Sequence, residues 1–160
     1  MPKIQFSIDS DVPAERVLTA ITDFSDDRPR LWPNIAREVY ELHAEGENWA
    51  ECTEGGTEFG GVWARERYEW SPGHVRATVV ESNIFASGTW DLRVEPRGGG
   101  SHIEVCNHRR VKGKGRMIAP ILMLVGGPFL KKEFGKTLAI LRDDPSYAAR
   151  SAEASSARST

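Results

Sequence analysis

From Arg37 to Lys112 the apolar residues recur at nearly every second position, and this constrains the fold more than any other feature of the chain. The spacing predicts strands over Arg37–Ala44, Asn48–Glu54, Val62–Trp70, Val75–Ser82, Gly88–Glu95 and His102–Lys112. Turn-forming residues separate most of them: Glu45-Gly46-Glu47, Gly55-Gly56, Ser71-Pro72-Gly73 and Gly98-Gly99-Gly100. Consecutive strands with such short links pair antiparallel as a meander. Lys3 to Asp9 alternates in the same way and adds a further half-buried strand. Between it and the meander, DVPAERVLTAITDF predicts a helix capped by Asp11, with Pro13 and Glu15 early and Val17, Leu18, Ile21 and Phe24 inward. The next segment, SDDRPRLWP, is too rich in proline for a regular helix, so a short turn should carry Leu31 and Trp32.

After the strands the period changes to 3.6. Lys114 to Arg142 reads as one long helix. Its second half is amphipathic, with Phe129, Leu130, Phe134, Leu138 and Leu141 on one stripe and Lys131, Lys132, Lys136 and Arg142 as its polar positions. Its first half, Met117 to Leu130, is apolar almost all round, which demands burial or a dry cavity. It is too short for a membrane span, which needs ~20 apolar residues. Gly126-Gly127-Pro128 should kink this helix rather than divide it. Strands grouped apart from helices make an α+β pattern, with the last helix laid across a curved antiparallel sheet and a pocket between them.

At 160 residues the chain has the length of one domain, expected over 1–144 and followed by a disordered tail over 145–160. A chain of this size buries ~70% of its unfolded surface and needs no covalent or metal staple. A formal charge of −2 gives no global attraction to nucleic acid or acidic lipid. Cys52 and Cys106 stand outside any CxxC or Cys/His spacing and read as packed thiols, with a disulfide between them the lesser alternative. The amino terminus has no basic-then-apolar leader, so a cytoplasmic protein is expected.

Alternation also assigns faces. Trp90, Leu92 and Val94 point inward together, as do Ile103, Val105 and Val111, and the same parity places Asn107 and Arg109 inside. Val62, Ala64, Tyr68 and Trp70 share a face that also carries Glu66. An unpaired buried charge costs several kcal/mol. Glu66 and Arg109 must therefore form an internal ion pair, be turned outward by a bulge, or face a partly wet cavity.

The chain resembles the START/SRPBCC superfamily, the Bet v 1-like or helix-grip fold, in its polyketide cyclase/dehydrase and lipid-transport branch. The resemblance rests on the first strand running into DVPAERVLTAITDF, on LWP, on RERYEWSPGHVRATVVES, on GTWDLRVEP before a GGGS turn, and on the final helix ending KTLAILR. It implies a curved seven-stranded antiparallel sheet wrapped around a long C-terminal helix, two short helices after the first strand, and a hydrophobic cavity.

Within that frame the expected lining is Trp32, Ala64, Glu66, Tyr68, Trp70, Phe85, Trp90, Leu92, Asn107, Arg109, Met117, Ile121, Leu124 and Val125, with Trp49 and Trp63 on the outer face or edge. Such a cavity suits a hydrophobic small molecule carried or sensed, with Tyr68, Asn107 and Arg109 supplying hydrogen bonds. The alternative is a cyclase, dehydratase or aromatase in which Tyr68 and Glu66 perform acid–base work on a bound carbonyl compound and Arg109 stabilises the developing charge. A protein-interaction module of the same fold is a third. His43, His74, His102 and His108 are scattered, with His102 and His108 on the outer face, so neither a hydrolase triad nor a metal site is expected, and no cofactor. The basic run RRVKGKGR, Arg109 to Arg116, precedes the apolar helix; it reads either as a solvated loop or as peripheral contact with an anionic membrane. A monomer or homodimer fits all of these.

Overall fold

A computed structural model describes residues 3–117, 119–144, 146–147 and 153, without the side chains of residues 59 and 114. Seven strands form one antiparallel sheet: β1 (Lys3–Ser10), β2 (Glu41–Glu45), β3 (Trp49–Gly55), β4 (Trp63–Ser71), β5 (His74–Ser82), β6 (Phe85–Arg97) and β7 (Gly100–Val111). Their order is β1-β7-β6-β5-β4-β3-β2, so the meander closes with β1 beside β7. Two short helices, α1 (Ala14–Ile21) and α2 (Arg28–Leu31), follow β1, and the long helix α3 (Ala119–Asp143) comes last, after a 3-10 turn over Gly113–Met117. This is the α+β helix-grip architecture.

The core lies where α1, α2 and the second half of α3 meet the inward parity of the sheet. Val17 and Ile21 from α1, Leu31 from α2, Phe134, Leu138 and Leu141 from α3, and Val75, Leu92, Ile103 and Val105 from the strands are buried together. Thr137 on α3 donates to the Leu31 carbonyl at 2.7 Å, and Trp32 meets Phe134 edge to face with ring centroids 5.2 Å apart. α3 runs through Gly126-Gly127-Pro128 as one continuous helix. A Cβ on Gly126 would stand 2.9 Å from Ile4 Cδ1, so the glycine lets α3 lie close against β1.

Several sequence expectations need correction. Asp11 does not cap α1; Pro13 occupies the N-cap position, and Asp11 instead pairs with Arg142. The strand expected from Arg37 begins at Glu41, because residues 37–39 turn and Tyr40 donates its hydroxyl to the Phe24 carbonyl at 2.6 Å. Segment SDDRPRLWP does form a helical turn, α2, with its proline within the first two positions, where the missing N–H costs nothing. Cys52 and Cys106 need no correction: both are free, in line with the thiol reading and not with the disulfide alternative. Tyr147, placed in the tail by sequence, is buried in the core at 2% exposure. The rest of that tail, apart from Ser146 and Glu153, lies outside the described residues.

Candidate functional site

Two β-bulges aim side chains that simple alternation would misplace. Between β4 and β5 the register passes from Arg65↔Glu81 to Glu66↔Val79, which leaves Val80 as an extra, exposed residue. Between β6 and β7 it passes from Phe85↔Val111 to Ser87↔Arg110, with Ala86 extra. The second bulge reverses the parity of β6. Gly88, Trp90, Leu92 and Val94 share one face by period two, and Phe85 joins them only because Ala86 is bulged out.

These inward residues, with the first half of α3 and the segment after α2, enclose a cavity of about 650 Å³. That volume lies within the range of small-molecule sites. Its wall is mainly apolar, formed by Ile4, Ile35, Val62, Trp63, Ala64, Ile84, Phe85, Trp90, Val111, Leu122, Met123, Val125, Phe129 and Leu130. Glu54, Glu66, Asn107 and Arg109 supply the inner polar groups. Asn34, Thr57 and Glu58, all from loop or 3-10 segments, add others.

Glu66 and Arg109 answer the question their parity raised. They are ion-paired and also line the cavity, with 5% and 16% of their side chains exposed. Arg109 is held on three sides. Its guanidinium lies 4.8 Å from the Phe85 ring centroid and 5.9 Å from that of Trp90, both cation–π distances. Its stem occupies the space over Gly88, its partner in register, where a Cβ would fall 2.6 Å from Arg109 Cγ. Two donors here, Arg109 Nε and Trp90 Nε1, are buried without a hydrogen-bond partner among the described residues. Such groups are costly to leave unsatisfied, and they define where a ligand acceptor would be favoured.

Behind this wall lies a second ion pair that sequence reasoning missed. Arg28, 3% exposed, pairs with Glu54 and donates to the carbonyls of Ile21 and Asp23, each at 2.9 Å. It also lies 4.3 Å from the Phe24 ring centroid and 5.1 Å from that of Tyr68. Tyr68 joins the two pairs, donating its hydroxyl to Glu54 at 2.9 Å and standing 3.4 Å from Glu66. One hydroxyl proton cannot serve both carboxylates well, so the contact with Glu66 strengthens when Glu66 is itself protonated. Burial pushes the Glu66 carboxyl above its ordinary value, opposed by the charge of Arg109 and reinforced by that of Glu54. Burial, with both carboxylates beside it, also drives Tyr68 well above the normal phenol value, so Tyr68 stays protonated. Burial, the largest single influence, would lower the Arg28 value, but Glu54, Tyr68 and Cys52 together more than offset it, so its pKa is raised and its charge is permanent.

Of the residues predicted to line the cavity, Ala64, Glu66, Phe85, Trp90, Asn107, Arg109 and Val125 do so. Trp32, Tyr68 and Leu92 border instead a neighbouring void of about 40 Å³, reached past Glu54 and Trp90 and roomy enough for water. Trp70 belongs to neither, because its ring stacks on Phe24 at 5.8 Å and bolts the sheet to the segment after α1. Met117, Ile121 and Leu124 are a plain correction. Ile121 and Leu124 point to solvent, since the first half of α3 is a single layer with the cavity on one side and water on the other, and Met117, at the end of the 3-10 turn, is exposed as well. Trp63, expected outside, lines the cavity from the first position of β4, packed directly on Gly55. His102 is on the outer face as expected, bonded to Asp9 at 2.6 Å. Among the described residues, no group of three or more His, Cys, Asp or Glu could hold a metal ion.

No curated protein matches the chain in sequence. Solved structures match its fold. TTHA0849 from Thermus thermophilus superposes with a TM-score of 0.75 at 14% identity, over 88% of this chain and 97% of its own. The Zhui aromatase/cyclase from Streptomyces sp. R1128 gives 0.67 at 12% identity, over 87% of this chain and 90% of that one. A START superfamily protein from Mycobacterium smegmatis gives 0.60 at 15% identity and covers 99% of both chains. At such identities these likenesses speak for fold alone. The sequence model of one family matches residues 1–144, which span every strand and helix that builds the cavity. The chain belongs to the polyketide cyclase / dehydrase and lipid transport family.

Proposed function

We propose that this protein binds a largely apolar small molecule in the cavity between the sheet and α3, as its carrier or sensor, and holds one acceptor group of that molecule at Arg109 and Trp90. One observation carries the reading: a cavity of about 650 Å³, walled mainly by aliphatic and aromatic side chains, has in its wall two buried donors without partners among the described residues. An apolar guest gains from leaving water, and a carbonyl or carboxylate oxygen on it would satisfy donors the protein leaves open. Family membership supports the same reading, since lipid transport is among the activities the family description names. Native mass spectrometry of freshly purified protein tests it. A co-purifying small molecule, retained by the wild type and lost from Arg109→Leu, is the expected result. An Arg109→Leu protein that is more stable and retains the molecule unchanged would remove Arg109 from binding.

Glu66 favours a second reading, cyclase or dehydratase chemistry. A cavity-lining carboxyl with a raised pKa, beside Arg109, can give a proton to a ligand carbonyl while the guanidinium steadies the charge that develops. Tyr68 would then act through Glu66, because it borders the small void rather than the cavity. Turnover of a carbonyl substrate that survives Glu66→Gln undiminished would exclude this chemistry.

A further inference from the structure

We infer that the outer face of the first half of α3 is a docking surface for an anionic lipid bilayer. On α3, Ile121 and Leu124 are 62% and 79% exposed, and Val125 is 43% exposed although it also reaches the cavity; Met117, at the end of the 3-10 turn that precedes the helix, is 83% exposed. Large apolar side chains gathered on one surface mark an interaction site more often than singly exposed ones do. Ile121, Leu124, Val125, Pro128, Lys131 and Lys132 follow one another by steps of three or one, with spacings of four from Ile121 to Val125, Leu124 to Pro128 and Pro128 to Lys132, so they form a single stripe along α3. The opposite arc, with Leu122, Met123, Gly126, Phe129 and Leu130, faces the cavity.

Charge selects the occupant. Between Glu104 and Glu133 the chain has no acidic residue but seven Arg and Lys, of which Arg109 alone is committed to Glu66 in the cavity, in a protein whose formal net charge is −2. Arg116 precedes Met117 and is exposed, while the exposed Lys131 and Lys132 close the far end of the stripe. A second copy of the chain fits poorly, because a two-fold contact through this face would bring its cations towards their equals. An acidic protein would have to match a central patch of Ile, Leu, Val and Pro that offers it no hydrogen-bonding side chain. A bilayer needs no such match, since aliphatic side chains enter the acyl boundary while flanking Lys and Arg remain among anionic headgroups. Among the described residues no helix is long and apolar enough to cross a membrane, so the contact is interfacial. It would set the lipid one helix diameter, ~10 Å, from the cavity.

Flotation with vesicles tests this, using phosphatidylcholine alone and phosphatidylcholine mixed with phosphatidylglycerol. The wild type should float with the anionic vesicles at least about tenfold better than with the neutral ones, and added salt should weaken the binding. Ile121→Ser with Leu124→Ser, and separately Lys131→Glu with Lys132→Glu, should each lower it by about fivefold or more. Both pairs are on the surface, so melting temperature and cavity binding should be unchanged, and Val80→Ser, at an exposed valine in a bulge of the sheet, should float as the wild type does. Absence of flotation, binding that ignores lipid charge, or binding that survives both pairs would overturn the inference. So would a wild-type dimer dispersed by Ile121→Ser with Leu124→Ser, which would seat a second copy on the face. Loss of cavity binding with flotation intact would count against the proposed function alone.

Discussion

Arg109 on β7 grips the carboxylate of Glu66 on β4, although β5 and β6 lie between their strands in the sheet. Three interstrand steps of ~4.8 Å separate those strands in a flat sheet, more than the two side chains can comfortably span. Curvature closes that gap, and the pair therefore reports the concavity that makes the cavity. Removing one partner of a largely buried pair costs about 3 kcal/mol, since the other charge stays behind. Arg109→Leu should destabilise the protein by about that amount, whereas Arg109→Leu combined with Glu66→Gln should cost less than the two single changes summed. Urea denaturation of the four proteins measures the coupling, and strict additivity would mean the pair does not act as one unit.

The pH dependence of stability should carry the mark of Glu66. Its carboxyl is raised by burial, so the folded protein keeps a proton that the unfolded chain releases near pH ~4.3. Folded protein then binds more protons than unfolded protein, and the contribution of Glu66 to stability declines as pH rises from about 4.3 towards its folded value. Glu66→Gln cannot ionise and should lack this decline. The stability difference between the two proteins should therefore shift in favour of the variant as pH rises through that window. A difference independent of pH would mean that Glu66 ionises in the folded state as it does in water.

Two glycines should respond in opposite directions to alanine. Gly135 sits within α3 with nothing within 4 Å of where an added methyl would stand, so Gly135→Ala should stabilise by about 1 kcal/mol through helix propensity. Gly88 is crowded by the Arg109 stem and by the His108 carbonyl 2.8 Å away, so Gly88→Ala should cost about 1–3 kcal/mol and displace Arg109. Thermal melts of both variants, with binding of a cavity ligand to the second, check the pair. A Gly88→Ala protein of normal stability and binding would mean that the seat of Arg109 is looser than the contacts indicate.

The architecture is legible in the sequence because period-two alternation, turn residues and a terminal 3.6-period helix all agree from Lys3 to Arg142. The polar pair Glu66 and Arg109 is legible for the same reason, as charges at inward positions demand partners. Aromatic character alone puts Phe85 near the site, yet what aims it is the bulge at Ala86, and nothing in FASGTW announces an extra residue. Arg28 is hidden because an arginine between two aspartates and a proline reads as a solvated turn; its burial depends on Glu54, which is distant in sequence. Met117, Ile121 and Leu124 escape assignment because an apolar helix carries no sign of which side lacks a neighbour. That information resides in how far the sheet reaches around it.

The central claim is that the hollow between sheet and α3 accepts a greasy guest, and binding of N-phenyl-1-naphthylamine, a neutral apolar fluorophore, tests it most directly. Trp63 and Trp90 line the hollow and should transfer energy to the bound dye. The wild type should bind one equivalent. Ala64→Phe combined with Met123→Trp, which fills the hollow from β4 and from α3, should bind at least about tenfold more weakly while remaining folded. Equal binding by the two proteins would place the dye elsewhere and contradict the account.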